Sequence, residues 1–146
     1  MYVSPVLAYE QVDMSLPSGN DILVTKYHAV TDGEGVSLIM WVPSEHGIRP
    51  EMGETALSIA DEGFDLWLLN LHESYMVPPG KKSINEFSVE NIYELMRIAS
   101  EKGYKDIILT ASGRGAILAL KAGRLWQLKH PTDHTFPGYI FLHPHL

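Results

Sequence analysis

Apolar and polar positions divide this chain into short strand-like runs and longer helical segments. Alternating or continuous apolar runs bounded by turn residues are typical of strands, and apolar residues spaced three and four apart are typical of helices. These patterns predict six strands, over residues 6–14, 21–30, 36–42, 64–69, 107–109 and 139–142. They also predict three helices, over residues 51–62, 88–103 and 116–129.

The order of these elements predicts the fold class. Turn residues 16–20 join the first two strands as an antiparallel hairpin. Strands then alternate with helices, which is typical of a mostly parallel, doubly wound sheet covered by helices on both faces. We therefore predict a three-layer α/β sandwich formed by a single domain over residues 1–146. Residues 70–85 and 131–137 are predicted to be loops.

Residues 106–119, DIILTASGRGAILA, contain the most informative local pattern. A short apolar run is followed by a small-residue turn at 111–115 and then by helical spacing. Strand, sharp turn and helix in this order resemble the nucleophile elbow of α/β-hydrolases, which also follows a fifth strand in that family. Residues 60–72 and 138–145 are similar to the family's fourth and sixth strands with their flanks. The resemblance covers essentially the whole chain and implies an α/β-hydrolase-like fold that is truncated after its sixth strand.

The same residues bear on the catalysis that the resemblance implies. The family's elbow motif is G-x-S-x-G, with the serine as nucleophile. Laid over this sequence, the nucleophile position falls on Gly113, and Ser112 lies one position early. Three interpretations stay open: Ser112 is a displaced nucleophile, Arg114 and the start of the helix bind an anion, or the turn has kept only its packing role.

A second family feature lies after the third strand. There the family commonly has a His-Gly turn whose backbone helps to bind the oxyanion. His46-Gly47 resembles this turn but follows the strand several residues later. Pro43 stands nearer the usual place, and it has no N–H to donate. We take His46 and Gly47 as candidate oxyanion-binding or ligand-binding residues.

The family supplies the acid and the histidine of its triad after later strands, and those positions lie beyond Leu146. Several polar residues offer substitutes, and each is equally explained as an ordinary polar loop or strand-end residue: Glu45, Asp133, His130, His134, His143 and His145. A sheet that ends at its sixth strand has an open edge. We therefore expect a second copy or a partner to cover this edge, or the sequence to be part of a longer chain.

The predicted fourth strand points to a further group of candidates. His72, Glu73 and Tyr75 follow this strand at its carboxyl end. Open α/β sheets bind ligands at that edge. We add His72 and Tyr75 to the candidate ligand-binding residues, which then comprise His46, Gly47, His72, Tyr75, Gly113 and Arg114.

Composition narrows the function classes. A net charge of −7 without a basic stripe argues against nucleic-acid binding. The absence of cysteine excludes thiolate nucleophiles and disulfides. No apolar run is long enough to span a membrane and no signal peptide is visible, so we expect a soluble protein, either cytoplasmic or processed and periplasmic.

Without cysteine, histidine and carboxylate side chains are the remaining candidates for metal ligands. The chain has seven histidines, and His143 and His145, with Asp133 and His134, could form a zinc site. No spaced zinc-ligand signature is present, and an exposed C-terminal segment explains the same residues. We expect neither a metal nor another cofactor.

Two functions from different classes follow. The first is a degenerate α/β-hydrolase that binds a small ligand or a partner at the carboxyl edge of the sheet, as Gly113 and Pro43 favour. The second is a serine-hydrolase-like esterase or lipase that uses Ser112, with its triad partners outside this chain.

Overall fold

The computed structural model describes residues 8–30 and 36–144, with side chains through Leu142. Its sheet has six strands in the order β1-β2-β4-β3-β5-β6. The first two strands and β2-β4 pair antiparallel, whereas β4, β3, β5 and β6 are mutually parallel. The strands are Tyr9–Ser15 (β1), Asp21–Tyr27 (β2), Leu38–Val42 (β3), Asp65–Asn70 (β4), Ile107–Gly113 (β5) and Gly138–Pro144 (β6). The predicted mostly parallel sheet with an N-terminal hairpin is confirmed.

In the described part of the chain, four α-helices flank the sheet: Pro50–Asp61 (α1), Leu71–Tyr75 (α2), Val89–Glu101 (α3) and Gly115–Lys129 (α4). Pro50 occupies the first turn of α1, where its missing N–H leaves no helical bond unmade. Ser88 caps α3 by accepting the N–H of Asn91 at 3.3 Å. The N-termini of α1 and α3 are therefore set by a proline and a capping serine that are visible in the sequence.

Two hydrophobic clusters, one on each face of the sheet, form the core. Met52, Ala56 and Ala60 of α1 pack against Trp41 and Leu66 on one face. On the other face, α3 and α4 pack against alternate residues of the same strands, including Met40, Val42, Leu109 and Ala111. Because successive side chains of a strand point to opposite faces, each central strand contributes to both clusters. This arrangement confirms the predicted three-layer sandwich.

Two segments differ from the sequence prediction. Residues 70–85 are not one loop, since they contain α2 and a 3-10 turn at Ser83–Glu86. The fifth strand does not stop before the small residues but continues to Gly113. Ala111 pairs with Val42 of β3, and Ser112 pairs with Leu142 of β6. Pairing on both sides therefore keeps these residues extended although their side chains are small.

The remaining elements match with small shifts of their bounds. Part of the predicted first strand, the turn at residues 31–35 and His145 lie outside the described residues. Strand β6 forms one edge of the described sheet, and its Ile140 and Leu142 side chains are exposed. The predicted open edge is therefore present in the part of the chain that the structure describes.

Candidate functional site

The candidate site lies where the parallel strands β3, β4 and β5 end. Carboxyl ends of parallel strands meet at one edge, so the segments that follow these strands come together there. The segment after β3, residues 43–49, lies against the corner between β5 and α4. That corner comprises Gly113, Arg114 and Gly115.

The two glycines allow the corner and the neighbouring segment to approach closely. Gly113 has φ +50°, a left-handed conformation that side chains other than glycine's disfavour. A Cβ atom at Gly115 would collide with the carbonyl oxygen of Pro43 and lie 2.9 Å from that of Val42. The end of β3 and the start of α4 can therefore touch only because residue 115 has no side chain.

The carboxylate of Glu45 fills the space beside Gly113. Its Oε1 would be 2.6 Å from a Cβ atom at position 113, and the Cβ of Ser44 would be 2.9 Å away. Oε1 accepts the backbone N–H of Arg114 at 3.2 Å, and Oε2 lies 2.9 Å from Nε of the same residue. Glu45 is buried, with 7% of its surface exposed. A negative charge is thus held at the corner by both the backbone and the side chain of Arg114.

This environment favours the ionised form of Glu45. Burial by itself would raise the pKa of the carboxyl group. The backbone N–H groups of Arg114 and of Glu45 itself, together with the nearby His46 and Arg114 side chains, outweigh that effect. The pKa of Glu45 therefore lies below its ordinary value, and the residue is charged at neutral pH.

Ser112 lies on the α1 face of β5. Its Oγ accepts the indole N–H of Trp41 at 2.9 Å. Trp41 pairs with Thr110, so its ring reaches the next residue of β5 that points to the same face. Ser112 is half-buried and keeps its own hydroxyl hydrogen for another acceptor.

A cavity of about 500 Å³ opens at this place. Volumes of about 300–1,000 Å³ are typical of small-molecule sites. Trp41, Met52 and Leu142 supply apolar wall, and the polar lining comes from α1, from the segment after β3 and from β5. The remaining lining residues are Ser44, Glu45, His46, Gly47, Arg49, Glu51, Thr55, Ser112 and Gly113.

His46 and Gly47 separate this cavity from a second, more open one. His46 is exposed, and its backbone N–H donates to Ser44 Oγ at 3.1 Å. Gly47 has φ +77° and lies against the ring of His72. Both residues line both cavities. The second cavity is also lined by His72 and by the segment from Met76 to Pro79.

His72 is a buried structural partner of the same segment. Its Nε2 lies 2.8 Å from Ser83 Oγ, whose hydroxyl also lies 2.8 Å from the Gly80 carbonyl oxygen. Within the described residues, Nδ1 has no hydrogen-bond partner. Burial lowers the pKa of His72, and the nearby backbone carbonyl of Glu45 opposes that effect only partly. His72 is therefore neutral at pH 7.

Tyr75 lies apart from both cavities. Its hydroxyl accepts from Asn91 Nδ2 at 2.5 Å and from the Ser88 N–H at 3.3 Å. Its ring packs against Phe87, 5.2 Å between centroids. These contacts connect the C-terminal end of α2 with the N-terminal end of α3.

The polar residues near the C-terminus make contacts of their own. His130 bonds to Tyr93, and Asp133 accepts from Thr135. The side chain of His143 lies outside the described residues, as does His145. Among the described residues, no three histidine or acidic side chains are grouped as metal ligands would be. No helix in the described part of the chain combines the length and apolar character needed to cross a bilayer.

The chain is similar to known proteins in its fold. No family model matches the sequence. No curated protein matches it either. Solved structures do match: the α/β-hydrolase GrgF from Penicillium superposes with a TM-score of 0.66 over 94% of this chain, at 14% identity. A carboxyl esterase from Bacillus coagulans gives 0.63 over 93%, at 12% identity. This chain has the α/β-hydrolase fold.

A Klebsiella pneumoniae protein described as a dienelactone hydrolase has the same α/β-hydrolase fold, with a TM-score of 0.64 over 96% of this chain and 13% identity. The chain spans 62% of the length of that protein, 44% of the Bacillus esterase and 46% of GrgF. The fold resemblance predicted from the elbow-like segment is therefore confirmed.

Within this α/β-hydrolase fold, four of the candidate residues lie together. Ser112, Gly113, His46 and Gly47 line the 500 Å³ cavity, and Arg114 adjoins it through Glu45. His72 borders only the second cavity. Sequence reasoning missed the lining role of Trp41, Arg49 and Glu51, and it treated Glu45 as one polar loop residue among several. The only signal for Glu45 was its position just after the third strand.

Proposed function

We propose that this α/β-hydrolase-fold chain binds a small, uncharged polar molecule in the 500 Å³ cavity and does not hydrolyse esters there. The observation that carries the proposal is the carboxylate of Glu45 beside Gly113. In serine hydrolases of this fold, the N–H of the residue after the nucleophile helps to stabilise the oxyanion. Here the corresponding N–H, that of Arg114, already donates to Glu45.

The geometry works against ester hydrolysis in two ways. Gly113 offers no nucleophile, and the space that a side chain would enter is filled by Glu45 Oε1 and Ser44. A tetrahedral intermediate would also place its negative oxygen next to the Glu45 carboxylate. Oxyanion stabilisation by N–H donors ordinarily contributes about 2.7–4 kcal/mol to catalysis. A fixed negative charge at the same donor opposes that stabilisation.

The lining of the cavity supports an uncharged ligand. Glu45 is paired with Arg114, and the lining also holds one further residue of each charge, Arg49 and Glu51. The indole of Trp41 and the side chain of Met52 supply apolar surface. Ser112 retains a hydroxyl hydrogen that can donate to a carbonyl, ether or hydroxyl oxygen of the ligand.

Two matched variants of α1 test the binding site. Glu51 lines the cavity, whereas Asp61, which is also exposed on the same helix, lines neither of the two cavities above. Glu51→Phe and Asp61→Phe each remove one acidic charge and add one ring. A saturation-transfer NMR screen with neutral fragments should give binders that Glu51→Phe loses and Asp61→Phe keeps. The proposal fails if every fragment that binds is retained by both variants.

The second candidate function is an esterase or lipase that uses Ser112. It is favoured by one observation: Ser112 lines the same cavity and keeps its hydroxyl hydrogen. Within the described residues, no histidine is hydrogen-bonded to Ser112 to act as its base. Labelling with a fluorophosphonate distinguishes the two functions. We expect no labelling of the folded wild type; labelling that disappears in Ser112→Ala would establish the esterase instead.

We also propose that a second copy of the chain covers the open edge at β6. Ile140 and Leu142 are exposed there, beside an apolar cleft formed with Ile39, Ile59, Phe64 and Ile108. Exposed strand edges with apolar side chains favour pairing with another strand. We expect a second copy to pair through β6, and sedimentation should then give a dimer that Ile140→Lys dissociates. A monomeric wild type would contradict this expectation.

A further inference from the structure

A third cavity, of about 300 Å³, lies on the α4 side of the corner. It is lined by Lys81, Lys82, Ile84, Asn85, Arg114 and Ile117. None of these residues lines the 500 Å³ cavity described above. The corner between β5 and α4 therefore separates two distinct cavities, and Glu45 and Arg114 meet at the boundary between them.

Charge distinguishes this third cavity from the two cavities described above, because no carboxylate lines it. The chain has a net charge of −7 with 11 lysines and arginines, and three of them meet here. Arg114 is paired with Glu45. Within the described residues, no carboxylate lies within ion-pair distance of Lys81 or Lys82. Two positive charges are thus left uncompensated at one concave place of an acidic protein.

The donors are arranged around an apolar floor. Ile84 is buried and Ile117 is half-buried, whereas the two lysines and Asn85 are exposed around them. Lys81 and Lys82 precede the 3-10 turn at Ser83–Glu86, which fixes where their backbone lies. Ser83 is itself held by hydrogen bonds to Gly80 and Glu45. The backbone that carries the two lysine side chains is therefore held in place.

We propose that this cavity binds a phosphate monoester that carries an apolar group. A phosphate monoester has a charge of about −1.5 to −2 at pH 7, which matches the two uncompensated lysines. A carboxylate would balance only one of them. Lysine ammonium groups and an arginine guanidinium are the side chains that contact phosphate oxygens most strongly, and Asn85 adds an uncharged donor. Ile84 and Ile117 provide the surface against which the apolar group packs.

The position of Arg114 between Glu45 and this cavity leads to a further prediction. Its guanidinium is shared between Glu45 and the proposed phosphate, and the carboxylate competes with the ligand for it. Removing the charge of Glu45 should therefore strengthen phosphate binding. A general attraction of anions to exposed lysines would show a much smaller response, because Glu45 is buried and lines the other cavity.

Isothermal titration calorimetry with phenyl phosphate tests the proposal. We expect saturable binding at one site that the double variant K81Q/K82Q weakens by about tenfold or more, since two charge-assisted contacts are lost. The matched control is K102Q/K105Q, which removes two lysines that are also exposed and that follow the end of α3. E45Q should bind more tightly than the wild type. All four residues changed in the lysine variants are exposed, so folding is expected to be unaffected and is checked by thermal unfolding.

Two comparison ligands and one further variant sharpen the test, and two outcomes would contradict the proposal. Benzoate, with one charge, and inorganic phosphate, without a ring, should both bind more weakly than phenyl phosphate. I117S should lower the affinity for phenyl phosphate but not for inorganic phosphate. Equal weakening by K81Q/K82Q and K102Q/K105Q, or no saturable binding of phenyl phosphate, would overturn the proposal. Neither result bears on the uncharged ligand proposed for the 500 Å³ cavity, whose test uses different variants.

Discussion

Glu45 and Arg114 are joined through both oxygens of the carboxylate. Oε1 accepts the backbone N–H at 3.2 Å, and Oε2 lies 2.9 Å from Nε. The contact links the segment after β3 to the N-cap of α4, at the corner between β5 and α4. It holds a negative charge beside Gly113, and several measurable consequences follow from it.

The first prediction concerns acid stability. The pKa of Glu45 is below its ordinary value in the folded protein, so the charged form stabilises the fold above the unfolded pKa of about 4.3, and this stabilisation is lost as pH falls further. Glu45→Gln should lower the free energy of unfolding at pH 7 by about 1–3 kcal/mol, as expected for losing hydrogen bonds to a charged group. Urea unfolding at pH 7 and at pH 3 measures this difference.

The deficit of Glu45→Gln should shrink at pH 3, where the wild-type carboxyl is itself becoming protonated. Glu54→Gln is the control, because Glu54 is exposed on α1 and makes no ion pair among the described residues. An equal deficit for Glu45→Gln at both pH values would mean that the charge of Glu45 does not contribute.

The second prediction separates backbone strain from crowding at the corner. Gly113 and Gly103 both have positive φ, but only Gly113 has neighbours within 4 Å of an added Cβ. Gly103→Ala should cost about 1–2 kcal/mol for its left-handed conformation. Gly113→Ala should cost about 1–3 kcal/mol more, because the new Cβ meets Glu45 and Ser44.

A double-mutant cycle tests the cause of that extra cost. Combining Gly113→Ala with Glu45→Ala removes the nearer of the two atoms that crowd position 113 and leaves the Cβ of Ser44 in place. The combined loss should therefore be smaller than the sum of the two single losses, as measured by chemical unfolding. Additive losses would show that Glu45 does not crowd the corner.

The third prediction concerns His72. Burial lowers its pKa, so the unfolded chain binds a proton more readily than the folded one. This residue's contribution to stability is fully present above the unfolded pKa of about 6.5 and is lost as pH falls below it. The NMR titration of the imidazole, assigned by the resonance that His72→Gln lacks, should give a pKa below about 6.5. A pKa at or above that value would contradict the buried, neutral state.

The fourth prediction tests how closely α4 approaches β6. A Cβ at Gly123 would overlap the Tyr139 ring and lie 2.8 Å from Phe136 Cζ. Gly123→Ala should therefore destabilise the protein by about 1–3 kcal/mol. Gly53→Ala is the matched control in α1, where only the Tyr27 hydroxyl lies within 4 Å, at 3.4 Å. That change should stabilise by about 0.5–1 kcal/mol because alanine favours helix.

Thermal or urea unfolding of both variants measures the contrast. Tyr139→Phe combined with Gly123→Ala should recover part of the loss, because the hydroxyl is the nearest atom to the added methyl group. If Gly123→Ala stabilises the protein as Gly53→Ala is expected to, α4 and β6 do not pack as described.

Local patterns predicted most elements but missed short ones. The strand at residues 64–69 and the helix beginning after Ser88 show strong periodicity or a clear cap, and both form within a few residues of their predicted bounds. Helix α2 has five residues, which is too short for a repeating apolar pattern to appear. Similarly, the small residues 111–113 resembled a turn, and only pairing with Val42 and Leu142 keeps Ala111 and Ser112 in the strand.

The sequence by itself determined the layered α/β fold, because the spacing of apolar residues along the chain specifies which faces of the strands and helices are buried. Through the resemblance to α/β-hydrolases, it also predicts that Gly113 takes the place of the nucleophile. Only the tertiary structure decided what fills that place. Glu45 and Arg114 are 69 positions apart, and no local pattern specifies a contact of that range. The meeting of β3 and β5 at the centre of the sheet brings them together, and the missing side chain of Gly113 leaves room for the carboxylate.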